Sequence, residues 1–319
     1  MQNWVIYSFP NQNGFKTIIP NDTEKDCFTF QPFEKQFPTI AFKGEEQAIE
    51  LNNCKYPLDF KNSDKTKSTT QITYKKGFDI IKQAIIKGEV SKVILSKLVV
   101  KPFDSTNTFQ LIQQLRNQFP SAFIYCVNHQ ETGSWIGATP ELLLKEGEGI
   151  ANTVALAGTK MTEEIKWTNK EYEEQNIVRN YIEEVMTKLG LSYQVSPLET
   201  IQSGKLFHLM NKIKIKLNNN SDLLGIINLL HPTPAIAGLP KEKSLDVIKK
   251  AEDHYRKYYC GVIGVTNKDI SAYYVNLRCG QVQKNSITAY AGGGITSDSD
   301  FEAEWIESTE KSKSLLGLI

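Results

Sequence analysis

The closing thirty residues constrain this chain most. An apolar stretch at 286–291 leads through Gly292-Gly293-Gly294 into Glu302-Ala-Glu304-Trp-Ile-Glu307 and on to Lys311. The pattern predicts a strand, a glycine turn and a helix in direct succession. The helix is expected to start near Ser299, where Ser299-x-x-Glu302 has the form of a capping box. Exposed backbone N–H groups, carboxylates and Lys311 would then share a small volume. Such a volume suits an anion held partly by backbone and partly through a metal, which points to an enzyme acting on a small molecule. Two further strands, at 261–266 and 272–279, crowd in just before this segment. Strands in runs, with helices between the runs, predict the α+β class: a single large domain of antiparallel β-sheets flanked by helices.

The rest of the chain fits that class. Helices are expected at 77–87, 108–117, 163–189, 223–230 and 241–257. Strands are expected at 92–100, 122–128, near Trp135, in two pieces over 141–157, and at 206–217. Gly190 ends the long helix, with Lys188 in its last turn. Residues 1–70, rich in Asn, Lys, Phe and Pro, read as an irregular N-terminal part of the scaffold. They end in a polar loop or linker at 61–70. Residues 71–319 read as the region that carries the site, with one domain overall.

Composition narrows the partners. With 319 residues, 40% hydrophobic and 23% charged, the chain has length for a sizeable core. A net charge of +1 gives no reason to expect nucleic acid or an anionic membrane, and no apolar stretch approaches the ~20 residues of a membrane span. The N-terminus lacks the basic start and apolar run of a signal peptide. The five cysteines are scattered and form no CxxC pair. A cytoplasmic protein with free thiols is expected.

Several constellations carry chemistry. Glu171 and Glu174 lie three apart on the long helix, and Glu304 and Glu307 three apart on the last, so each pair shares a helix face. Four carboxylates facing one another would repel unless a cation sat among them. Oxygen-only donors select a hard ion such as Mg²⁺. Glutamates at this spacing are also common on solvated faces, and spacing alone does not decide. Lys92 opens a strand, where lysines are usually solvated. Glu141 stands at the edge of an apolar run, where desolvation would raise its pKa and let it act as an acid. His231-Pro-Thr-Pro-Ala is a stiff, extended segment whose histidine reads as structural in isolation. There is no dinucleotide fingerprint, P-loop or G-x-S-x-G elbow.

Nine segments in order resemble the chorismate-utilising enzymes, a family that includes isochorismate synthases, salicylate synthases and the large subunits of anthranilate and aminodeoxychorismate synthases. They are Lys92-Val-Ile-Leu-Ser, Gly137-Ala-Thr-Pro-Glu141-Leu-Leu, Leu156-Ala-Gly-Thr159, Lys170-Glu-Tyr-Glu-Glu174, Leu230-His-Pro-Thr-Pro-Ala, Tyr259-Cys-Gly-Val-Ile-Gly, Leu277-Arg278-Cys, Ala291-Gly-Gly-Gly-Ile and Glu304-Trp-Ile-Glu307 with Lys311. Lys92, where amine-transferring members have glutamine, and the His-Pro-Thr-Pro-Ala segment look like the water-adding branch.

The resemblance implies Mg²⁺-dependent conversion of chorismate to isochorismate. Salicylate synthase, which also eliminates pyruvate, and an inactive chorismate-binding subunit are the alternatives. It implies Lys92 as the base that activates water, which needs a neutral amine in a shielded place, and Glu141 as the acid that protonates the departing hydroxyl. It makes Glu174 and Glu307 the direct metal ligands, with Glu171 and Glu304 in support. Arg278 and Tyr259 match residues that hold the pyruvyl carboxylate, aided by backbone at Gly292, Gly293 and Gly294. Thr159, His231 and Lys311 match pocket-lining positions. No amidotransferase subunit is expected, and the product could feed menaquinone or siderophore synthesis. The chain departs from the family in Gln175, Lys97 and Glu171, where His, Arg and Asp are usual.

Overall fold

A computed structural model describes residues 3–21, 25–54, 56–58, 60, 66–160, 162–203, 206–218 and 222–319. Residues 61–65 of the expected linker lie outside the described residues. The N-terminal part is not irregular. It forms β1 (Trp4–Ser8), β2 (Phe15–Ile19), β3 (Asp26–Gln31) and β4 (Ile40–Ile49). In β4, Ile40, Phe42 and Gly44 turn inward while Ala41, Lys43 and Glu45 face solvent, which is the period-two burial of a strand.

β4 joins two runs of strands. Its first half pairs with β3 and its second half with β2. Gly44 stands at the change of partner, where an added Cβ would fall 2.0 Å from the Ile19 carbonyl oxygen, so only glycine fits. From β2 one run continues through β1 to β6 (Phe123–His129), β7 (Gly133–Thr139), β16 (Cys279–Val282), β17 (Ser286–Ile295), β5 (Lys92–Pro102) and the short β13 (Gly238–Leu239). From β3 the other passes through β14 (Val262–Thr266), β15 (Ser271–Val275), β8 (Leu142–Gly147) and β9 (Ile150–Lys160) to β12 (Leu206–Lys216), which also pairs with β10 (Ser192–Val195) and β11 (Glu199–Ser203). All of these ladders are antiparallel.

The two runs pack through aromatic side chains. Tyr7 meets Phe28 at 5.4 Å, Phe30 meets Tyr125 at 5.8 Å, and Phe123 stacks on Tyr274 at 4.7 Å between ring centroids. These rings sit in one buried cluster with Trp135, Tyr258 and Tyr290. At about 25 cal/mol per Å² of apolar surface removed from water, rings of this size dominate the core.

Helices cover the outer faces. α1 (Gln71–Ile86) and α5 (Lys241–Ala251) pack on β5, α2 (Thr108–Gln118) on β6 and β7, α3 (Asn169–Lys188) on β9 and β12, and α6 (Phe301–Leu316) on β17. α4 is Leu223–Leu230, as the sequence predicts. Other boundaries shift for local reasons. α1 begins six residues early because Thr70 caps it, accepting from the Thr73 N–H. α3 begins six residues late, at Asn169, capped by Thr168, whose N–H and hydroxyl both donate to Glu171. α5 stops at Ala251 because Glu252 leaves the helix in extended conformation and binds Arg256. The strand expected at 272–279 is two strands, β15 and β16, with a loop between them that carries Arg278.

Candidate active site

The triple glycine is not a turn. Gly292, Gly293 and Gly294 lie inside β17 and pair with Ser96, Leu95 and Ile94 of β5. Missing side chains here make room for others. A Cβ on Gly294 would fall 2.7 Å from Lys92 Cε, one on Gly293 2.8 Å from Glu304 Oε2, and one on Gly292 3.1 Å from the Tyr259 hydroxyl. Gly292 and Gly294 share one face of the strand and Gly293 the other. The bare strand is therefore approached from both sides, by a lysine, a carboxylate and a tyrosine.

α6 delivers the acidic side of this arrangement. Its cap is Asp300, which accepts from the Ala303 N–H at 2.9 Å, rather than Ser299. Ser299 instead donates its hydroxyl to Glu304 Oε1 at 2.7 Å. Burial raises the Glu304 pKa and the charge of Glu307 adds to it, while the Ser299 hydroxyl, Lys311 and Lys92 pull the other way. One turn on from Glu307, Lys311 pairs with it at 2.7 Å and also donates to the Gly292 carbonyl at 3.2 Å.

Glu141 sits between β7 and β8. Its carbonyl accepts from Val275 at 2.9 Å, and its N–H leans on the Thr139 hydroxyl, which in turn donates to the Val275 carbonyl. Partly open to water on one side and crowded by protein elsewhere, its carboxyl is pushed up to about 7 by desolvation, against the pull of Lys311 and Arg278. Burial lowers the Arg278 pKa and Glu141 counters it. The Arg278 guanidinium lies 5.5 Å from the Phe119 ring. Tyr259, 4% exposed, stacks on Tyr290 at 5.7 Å, and burial holds its hydroxyl protonated far above the usual range.

His231 is buried beneath this group, with Nε2 2.7 Å from the Cys260 carbonyl. Desolvation brings its pKa down to about 4, so the ring is neutral and supports the residue next to Tyr259. Thr159 lies in β9, but its side chain is outside the described ones. Reading the sequence missed Ser299 as a partner of Glu304 and Thr139 as a partner of Glu141. For Thr139 a signal existed, since it stands two residues before Glu141 in the quoted Gly-Ala-Thr-Pro-Glu segment.

The second carboxylate pair is carried by α3, which packs on β9 and β12. Glu174 is half-buried on α3, and Glu171 closes the start of that helix. Among the described residues, no three His, Cys, Asp or Glu side chains converge closely enough to hold a metal. The donor chemistry nevertheless fits a hard divalent cation, because Glu304 and Glu307 repel one another and a cation between them would relieve that repulsion.

A large antiparallel fold thus brings Lys92, Glu304 and Tyr259 against a strand without side chains, with Glu141 in the field of Lys311 and Arg278. The chain belongs to the chorismate binding enzyme family, whose model matches residues 31–319. It is 27% identical over 244 residues to isochorismate synthase EntC of Escherichia coli (strain K12), covering 72% of this chain and 62% of that protein. It is 25% identical over 316 residues to isochorismate synthase MenF of Bacillus subtilis (strain 168), covering 93% and 63%. The chain thus spans about three fifths of the length of the curated relatives it matches. Among solved structures, that of a putative 2,3-dihydroxybenzoate-specific isochorismate synthase, DhbC from Bacillus anthracis, superimposes with a TM-score of 0.81. Its identity is 21%, over 99% of this chain and 95% of that one, a likeness that establishes the fold. No helix among the described residues is long and apolar enough to cross a membrane.

Proposed function

We propose that this protein is an isochorismate synthase that converts chorismate to isochorismate with Mg²⁺. The observation that carries the reading is Glu141, whose carboxyl is pushed up to about 7 although Arg278 and Lys311 both act on it. A carboxylic acid half-protonated near neutrality is matched to donating a proton at that pH. Lys92 lies on the same strand system, over Gly294, and Lys311 is bound two residues away at Gly292.

In this reading Lys92 takes a proton from water as the water oxygen bonds to C2 of the ring. The ring double bonds shift, the C4–O bond breaks, and Glu141 gives its proton to the departing hydroxyl, which leaves as water. Arg278 and Tyr259 hold the pyruvyl carboxylate, for which the planar guanidinium offers paired donors. Glu174 and Glu307 would hold the metal directly, with Glu171 and Glu304 in support. When bound, Mg²⁺ neutralises the ring carboxylate and fixes its orientation. The isochorismate synthase names of the relatives support the reading, and it requires no amidotransferase subunit.

The test is incubation of the purified chain with chorismate and Mg²⁺, with and without a chelator, followed by separation of the products. Isochorismate without pyruvate, lost on chelation, is expected. Salicylate with pyruvate would move the assignment to salicylate synthase. Binding of chorismate without turnover would make the chain a ligand-binding subunit.

A further inference from the structure

Two residues beside the site hold a left-handed backbone without being glycine: Cys260, with φ 61°, next to Tyr259, and Arg278, with φ 48°. Such conformations persist only where the surroundings over-determine them. One fully buried residue, Asn276, ties the segment around Cys260 to the loop that carries Arg278. Asn276 donates its Nδ2–H to the Tyr258 carbonyl and its backbone N–H to the Gly261 carbonyl, each at 2.8 Å. Its carbonyl accepts the Cys260 N–H at 2.8 Å, and the Cys279 thiol lies 3.8 Å from the same oxygen. Its Oδ1 accepts the Tyr125 hydroxyl at 2.8 Å. Tyr259 is thus gripped through both of its chain neighbours by a residue two positions before Arg278.

We infer that Asn276 is a positioning residue that fixes Tyr259 and Arg278 as one clamp for a substrate carboxylate. The inference rests on the function proposed above and deepens it. Asparagine alone supplies what the place demands, an acceptor for Tyr125 and a donor for Tyr258 on one short planar group. Leucine offers neither, and aspartate would set a carboxylate against the Tyr258 carbonyl. Because the clamp holds a carboxylate whose own bonds do not change in the reaction, loosening it weakens binding of ground state and transition state alike.

The mild probe is Tyr125→Phe, which removes one bond to Asn276 and leaves the ring packing. Asn276→Asp is the stronger one. On the purified full-length chain, chorismate binding is measured by calorimetry alongside turnover. Tyr125→Phe is expected to raise KM and Kd for chorismate roughly five- to tenfold while kcat stays within about twofold. Asn276→Asp should raise both constants further. A purely structural role would lower the active fraction without moving KM. In an Arg278→Met background, Tyr125→Phe should add nothing, because the clamp is already open. Unchanged KM in Tyr125→Phe, a loss confined to kcat, or full additivity with Arg278→Met would each overturn the inference alone. A wild-type chain that fails to bind chorismate would overturn the proposed function, and the inference with it.

Discussion

The same pair of glutamates, three residues apart, occurs on α3 and on α6, and the two helices use it differently. On α6, Glu304 lies against a strand with no side chain beneath it, accepts a serine hydroxyl, and shares the field of Glu307, Lys92 and Lys311. On α3, Glu171 is turned back to the start of its own helix, and Glu174 stands half-buried above β9 and β12. Spacing puts two carboxylates on one face. The floor under that face decides what each glutamate touches, a bare strand and a serine hydroxyl for Glu304 and its own helix start for Glu171.

The largest effect belongs to the glycine-strand side. Glu141→Gln is expected to lower kcat by about 10²–10⁴, the usual worth of a positioned acid. Its stability should move the opposite way. The Glu141 carboxyl rises from the usual 4.5 to about 7 on folding, so between those values the folded chain keeps a proton that the unfolded chain has released. Stability therefore falls as pH rises across that window, and the deficit persists above it. Thermal melts should show the variant gaining on the wild type at pH 8, with the gain gone near pH 4.5. The same ionisation makes wild-type kcat/KM fall as pH climbs past about 7. An active Glu141→Gln variant would move the reacting groups away from this side.

Next comes a direct contrast of the two helices. Glu307→Gln should cost about a hundredfold in activity and raise the Mg²⁺ concentration needed, as loss of a ligand does. Glu171→Ala should remove the cap, lowering stability by about 1 kcal/mol, with a smaller loss of activity than Glu307→Gln. Equal activity losses in the two variants would erase the distinction drawn between the helices.

The finest probe is within the strand itself. Gly293→Ala and Gly294→Ala each place a methyl against the far end of a flexible side chain, Glu304 in one case and Lys92 in the other. Melting temperatures should barely change. Gly293→Ala should weaken the Mg²⁺ dependence about tenfold, whereas Gly294→Ala should depress kcat with the metal requirement unaltered. Identical behaviour of the two would mean that the faces of β17 do not divide the labour.

Much of this arrangement was legible in the chain because its segments keep their order and their chemistry is local. Helix α4 follows from its apolar run, and the antiparallel class follows from closely spaced strands. The N-terminal strands were hidden because their inward positions include Thr17 and Asp26, and because proline and asparagine interrupt the text between them. In Phe28-Thr29-Phe30 the period-two pattern is too short to stand out. Gly292–Gly294 misled for a different reason. Glycine permits turns, yet here β5 supplies hydrogen-bond partners along the whole stretch, and pairing overrides local preference. The Asn276 contacts join residues by tertiary geometry and leave no periodic trace.

The bare strand also sets a direction for change. A glycine has no side chain to lose, so every substitution at 292, 293 or 294 can only remove space from the site. Variation there can narrow what the protein accepts but cannot widen it. Any broadening of substrate range, by drift or by engineering, has to come from the side chains that lean over the strand.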